Sequence, residues 1–253
     1  MEHLSSMSRD CDAFWDPHTE DPRRLHNSYV MALEAAYLTK YSDLSESILA
    51  ALDREDYLTY ALCGRALIEI VATLRYYVRH QYGPLIGGLL DKGAMSPDDQ
   101  QALLKIDDRH LRGSRFDWES FVSRRFSKMK EHVVGQLQAR SGKGQQKRAE
   151  LTHGITAQQV NVFTCVEKWA EESSAVLIAY NLFCEMVHPN IGSNFLVCSA
   201  DSGKLYFTKH RGEAMGRCIF EQTFPILLSV TQKPFSEFLP LLLATCWQED
   251  ELK

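Results

Sequence analysis

No two of the seven cysteines, Cys11, Cys63, Cys165, Cys184, Cys198, Cys218 and Cys246, stand at metal-ligand spacing. A zinc knuckle is therefore not expected. Their number is odd and most sit in apolar helical runs, a pattern of free core thiols in a reducing compartment. No uninterrupted apolar stretch reaches the roughly 18 residues of a membrane span. The nearest, Phe235 to Trp247, holds Ser236, Glu237 and Pro240. The polar start of the chain, with Asp10, Asp12, Asp16, Glu20 and Asp21, lacks the apolar run of a signal peptide. The expectation is a cytoplasmic protein without membrane contact. An excess of positive charge is absent too. The net charge is -5, which argues against a general nucleic-acid binder while leaving room for a local basic segment. There is no His-Glu-x-x-His, no Gly-x-Ser-x-Gly and no repeat of fixed period. Gly142-Lys143-Gly144 lacks the spacing of a phosphate-binding loop. Neither a metal nor another cofactor is expected.

What is present reads as helix. The 253 residues are 45% hydrophobic and 24% charged, ordinary values for a globular chain with a sizeable core. After a polar tail over 1–22, with Phe14 and Trp15 as anchors, apolar residues recur at spacings of three and four from Leu25 to Leu52, with a break expected at Ser42-Asp43. A second helix is expected from about Glu55 to Gln81, ended by Gly83-Pro84. Ser96-Pro97-Asp98-Asp99 is a helix start: a Ser cap, a proline that costs no hydrogen bond there, and acids at the positive helix end. Further helices are expected over Trp118 to Ala139, from Thr156 through Trp169, and on to Val187, where His188-Pro189-Asn190 stops the chain. Two β-prone runs around Ser199-Ala-Asp-Ser-Gly203 suggest a small hairpin near 194–208. Helices resume over about 212–229 and 234–247, and they are either core or a homodimer face. The predicted fold is all-α, a multi-helix bundle over 23–193, with 194–253 supplying the hairpin and C-terminal helices packed on the same domain.

The leading candidate site joins two of these helices. Arg65 and Glu69 lie one turn apart inside Ala61-Leu-Cys-Gly-Arg-Ala-Leu-Ile-Glu-Ile-Val71, where an ion pair is costly unless fully partnered. Tyr180, Cys184 and His188 share one face of the later helix, with Asn190 just beyond. If the faces meet, Arg65 can clamp a phosphate and His188 can act as acid or base with Glu69 orienting it. The alternative is a buried network that fixes helix register. A second candidate is basic: Arg124, Arg125, Lys128, Lys130, Arg140, Lys143, Lys147 and Arg148 against the single acid Glu131. Such a segment either tracks phosphates or is a solvated surface.

Leu62-Cys-Gly-Arg-Ala-Leu-Ile-Glu-Ile70 together with Tyr180-Asn-Leu-Phe-Cys-Glu-Met-Val-His-Pro-Asn190 resembles an uncharacterised family of helical bacterial proteins. That family is similar in turn to the HEPN superfamily (higher eukaryotes and prokaryotes nucleotide-binding). The resemblance covers about 29–190. It implies a helical bundle that acts on RNA or a nucleotide, as a metal-independent ribonuclease or an antiphage or toxin effector, with Arg65, Glu69, Tyr180, His188 and Asn190 as site residues. Ribonuclease members carry Arg, four to six residues, then His, usually with a polar residue directly after the Arg. Arg75 with His80 and Arg125 with His132 match the spacing, but an aromatic residue, Tyr76 or Phe126, follows each Arg. For these pairs a solvated helix face is the other reading. A helical module that binds a partner protein or nucleic acid without catalysis, or a small-anion sensor, remains the alternative for the whole chain.

Overall fold

Pro22 opens the first helix, α1 (Pro22–Asp53), where its missing N–H costs nothing, and Asp21 Oδ1 accepts from Arg23 N at 2.9 Å as the cap. The computed structural model describes residues 19–86, 96–112, 160–188, 199–201, 204–206 and 213–247. Within it, α1 runs unbroken through Ser42 and Asp43, against the expected break. Their unfavourable helix propensity amounts to a few tenths of a kcal/mol each, less than the burial of Ile48 and Ala51 on the same helix returns. A left-handed turn at Glu55, φ 54°, follows, and Asp56 then caps α2 (Tyr57–Tyr76) by accepting from Thr59 N.

Helix α2 is the axis of the fold. Tyr60, Leu67, Ile68, Val71 and Leu74 are buried along it. It packs against α1, α4 (Val162–Ala170), α5 (Ser174–Val187) and α6 (Glu213–Lys233). The sequence predicts an end at Gly83-Pro84, and the structure corrects this. A π-helical stretch, Tyr77–Tyr82, carries the helix on to residue 86. In it Gly83 N donates to Val78 O, five residues back. This wider turn falls directly before Pro84, where the ring would otherwise strike the carbonyl four residues earlier. The same device recurs at Pro234–Phe238, where Leu239 N donates to Pro234 O directly before Pro240. There it joins α6 to the short α7 (Leu239–Leu243). The continuous helix Tyr57–Ile86 is long and apolar enough, by length and composition alone, to cross a membrane. In this fold it is the central packing element.

The start of α1 is tied to the residues that follow α7. His26 is fully buried, and its Nε2 lies 2.8 Å from Thr245 Oγ1. That hydroxyl already donates to Leu242 O, so the imidazole is the donor between them. Asn27 exchanges two bonds with Trp247, Nδ2 to O at 2.8 Å and Oδ1 from N at 3.0 Å.

The chain divides into two compact units, one of Met1–Met95 with Asn161–Lys253, the other of Ser96–Val160; the sequence reading placed 23–193 in one bundle. In the second unit, α3 (Pro97–Arg112) starts as its sequence predicts, with Asp99 N donating to Ser96 Oγ at 3.2 Å and Ser96 N to Asp99 Oδ2 at 3.3 Å. Of the expected hairpin span, Ser199–Asp201 and Lys204–Tyr206 are described and pair antiparallel. The tail with Phe14 and Trp15, the 118–139 helix, the Thr156 cap and the remainder of 194–208 lie outside the described residues. What is described is all-α in class, a helical bundle.

Candidate functional site

The seam between α2 and α5 is close because Gly64 has no side chain. A Cβ there would stand 2.8 Å from the Phe183 ring and 3.2 Å from Leu227. The helices run antiparallel along it, since Glu69 meets Tyr180 while Tyr60 meets Phe183. One turn of α2 on this seam carries Arg65 and Glu69. Arg65 Nε donates to Glu69 Oε1 at 2.9 Å. The Tyr180 hydroxyl donates to the same oxygen at 3.1 Å. The guanidinium carbon lies 5.6 Å from the Tyr180 ring centroid, a cation–π contact. The sequence-predicted trio of cation, carboxylate and phenol therefore converges.

Its electrostatics are those of a partly wet cluster. Burial alone would lower Arg65, but the hydrogen bond and charge of Glu69 outweigh it and raise the guanidinium further. Burial, joined by the Glu69 carboxylate, raises Tyr180 well above an ordinary phenol, so it stays a donor. Burial also raises the Cys184 thiol, with the Arg65 charge pulling the other way. A protonated Cys184 is a packed thiol, not a nucleophile. The Arg65 side chain is 35% exposed, and Nε is the atom that Glu69 engages. Among the described residues neither Nη of Arg65 has a protein partner, and neither is buried without one.

His188 does not join the cluster. It is the C-cap of α5, with its N–H donating to Cys184 O at 3.0 Å. Its side chain is exposed and takes no hydrogen bond or ion pair among the described residues. It lies one turn past Cys184 on the same face, toward the start of α2. Asn190 lies outside the described residues, as do Arg124, Arg125, Lys128, His132, Lys143, Lys147 and Arg148.

Arg75 and His80 separate into two environments. Arg75 is 1% exposed, which corrects the solvated-face reading for this residue. Its Nη2 forms an ion pair with Glu172, its guanidinium carbon lies 5.9 Å from the Trp169 ring, and Nη1 is buried without a hydrogen-bond partner. His80 is exposed, 5.3 Å from the Tyr76 ring. Burial first, then the charges of Arg75 and Lys168, lower its pKa. The π turn brings this pair within electrostatic reach across five residues, but the arginine is consumed by Glu172. Nearby, Glu237 pairs with both Arg79 and Lys233.

Glu172 and the buried state of Arg75 were missed from sequence. The available signal was the one that exposed Arg65: a lone charge inside an apolar run, here Val71 to Val78. A cavity of about 270 Å³ lined by Trp169, Ser173, Val176, Pro225, Ile226 and Lys233, among others, lies apart from the Arg65 cluster. Among the described residues no group of three or more His, Cys, Asp or Glu converges as a metal site.

Fold and geometry define the class: an all-α bundle with a half-exposed cation–carboxylate–phenol cluster on the seam of its central helix. Comparison of the chain with family models, curated proteins and solved structures finds no match.

Proposed function

We propose that this chain is a HEPN-like helical protein that acts on RNA or a nucleotide, with the Arg65 guanidinium as the group that holds a phosphate. One observation carries the reading. Glu69 grips Arg65 by Nε and the Tyr180 ring lies against the guanidinium, so the side chain is held, while among the described residues neither Nη takes a protein partner and the side chain is 35% exposed. A guanidinium fixed at one nitrogen and open at the other two is pre-organised for bidentate contact with phosphate oxygens. Because Glu69 offsets the charge of Arg65, the gain comes from geometry and not from net charge. His188, exposed on the same face of α5, is the acid or base of this proposal. Cleavage would use the RNA 2′-hydroxyl as nucleophile on the adjacent phosphorus, expel the 5′-oxygen and leave a cyclic phosphate. The basic stretch from Arg124 to Arg148 is a separate candidate for contact with nucleic-acid phosphates, and the role would be that of an antiphage or toxin effector. The hairpin over 194–208 belongs to this proposal as a cover at one end of the bundle.

Purified protein incubated with total RNA tests the catalytic part. Cleavage is expected, and His188→Ala is expected to lower its rate by about 10²-fold or more, the usual worth of a general acid or base. Intact RNA, or cleavage indifferent to His188→Ala, refutes it. A second reading rests on the lack of any hydrogen bond between His188 and the cluster: a binding module in which Arg65, Glu69 and Tyr180 fix helix register. It is favoured if Arg65→Ala and Glu69→Ala lower thermal stability while nucleotide and RNA binding stay unchanged.

A further inference from the structure

We propose that Phe163 is the base-stacking platform of the phosphate site on Arg65, and that the ligand is an unpaired nucleobase carrying its phosphate. The proposal rests on the phosphate-holding reading of Arg65 and adds the class of ligand. Phe163 sits in the first turn of α4 and is 41% exposed, a large aromatic surface left to water. Its backbone is pinned, because its N–H donates to the Oδ1 of the helix cap Asn161 at 3.0 Å. Its ring centroid lies 6.2 Å from that of Tyr180, inclined at 41°. Tyr180 is also the ring against which the Arg65 guanidinium rests at 5.6 Å. One buried phenol ring thus touches both an exposed apolar ring and a half-exposed cation.

An exposed aromatic and a guanidinium that share one supporting ring suit a ligand with a flat apolar face joined to an anion. A nucleotide has both, and an aromatic platform accepts any base because every base has a π-face. In a duplex that face is covered by its stacked neighbours, so the site selects unpaired bases. The surrounding charge points to a short contact. Glu167, one turn on from Phe163, and Glu185, beside Cys184, are exposed carboxylates that oppose a long run of phosphates here. A mononucleotide and a single nucleotide of single-stranded RNA share this chemistry.

The test compares AMP with ribose 5-phosphate, which keeps the phosphate and lacks the base, on the full chain. A short single-stranded RNA and its duplex are measured beside them. Wild type is expected to bind AMP about tenfold tighter than ribose 5-phosphate, the low end of the worth of one stacked base. In Phe163→Ala that advantage should vanish while ribose 5-phosphate binds as before; Phe163→Trp should keep it. Arg65→Ala should weaken both ligands. RNA binding tighter than AMP identifies the strand as the ligand source, equal binding identifies the mononucleotide, and duplex should bind more weakly than single strand. Equal affinity of wild type for AMP and ribose 5-phosphate, or an advantage that survives Phe163→Ala, overturns the stacking proposal and leaves the phosphate site standing. Indifference of both ligands to Arg65→Ala removes the phosphate site and the proposal with it.

Discussion

Gly64→Leu is expected to destabilise the chain by about 3 kcal/mol or more, the upper range for overpacking a filled core. For a chain of this length that is a fall in Tm of roughly 6–12 °C, read by circular dichroism or calorimetry. Even the first atom of any new side chain would stand 2.8 Å from two carbons of the Phe183 ring and 3.2 Å from Leu227. Phe183 is fully buried and touches the Tyr60 ring at 5.5 Å, so it cannot swing aside without disturbing a second aromatic. Gly64→Ala should cost less, because the alanine returns about 1 kcal/mol of helix propensity. A Gly64→Leu protein that melts with wild type would mean that α2, α5 and α6 do not converge at this point. The consequence reaches the site, since Arg65 is the next residue and the seam held by Gly64 brings Tyr180 to Glu69.

Glu172→Gln is expected to cost more than Arg75→Met, although Glu172 is the exposed member of the pair. Its side chain is 60% exposed, against 2% for Arg75. Removing the carboxylate strands a buried guanidinium, a cost of about 3 kcal/mol at the low end of the range because water reaches the Glu172 side. Removing the arginine leaves an acid that water solvates, and methionine keeps most of the apolar contact with Trp169. Paired urea melts of the two variants decide the order; equal losses, or a larger loss in Arg75→Met, would contradict it. The pH dependence follows from the same pair. The Arg75 hydrogen bond, with its charge, holds Glu172 below its ordinary 4.5 despite some opposing desolvation. Its contribution is therefore complete above the unfolded value of 4.5 and is lost as pH falls through the lower folded value. The difference between wild type and Glu172→Gln should shrink in acid.

Helix periodicity was legible because it needs only apolar spacing, and the Ser96 start because its chemistry lies within four residues. The pairing of Arg65 with Glu69 was legible for the same local reason. That Tyr180 would meet them was a guess about tertiary packing, and it turns on Gly64, whose small size permits the approach without announcing it. His188 shares a face with Tyr180 and Cys184, but sharing a face does not by itself give it a hydrogen-bond partner. At the end of α5 its imidazole stays in water, while Phe183 on the neighbouring stripe takes the buried position. Pro84 read as a helix stop under a rule that assumes α geometry; the π turn before it relaxes that rule. The partner of Arg75 was not legible because Glu172 lies 97 positions away in a turn with no periodicity.

The central claim, that Arg65 is held by Nε and receives a phosphate on its outer edge, is open to one direct measurement. In ¹⁵N-labelled full-length protein, the guanidinium resonances of Arg65, assigned by comparison with Arg65→Lys, are followed as AMP is added. The expected result is a saturable shift of the Nη signals with the Nε proton retained in its bond to Glu69. Arg65 resonances that stay put throughout the titration would contradict the account.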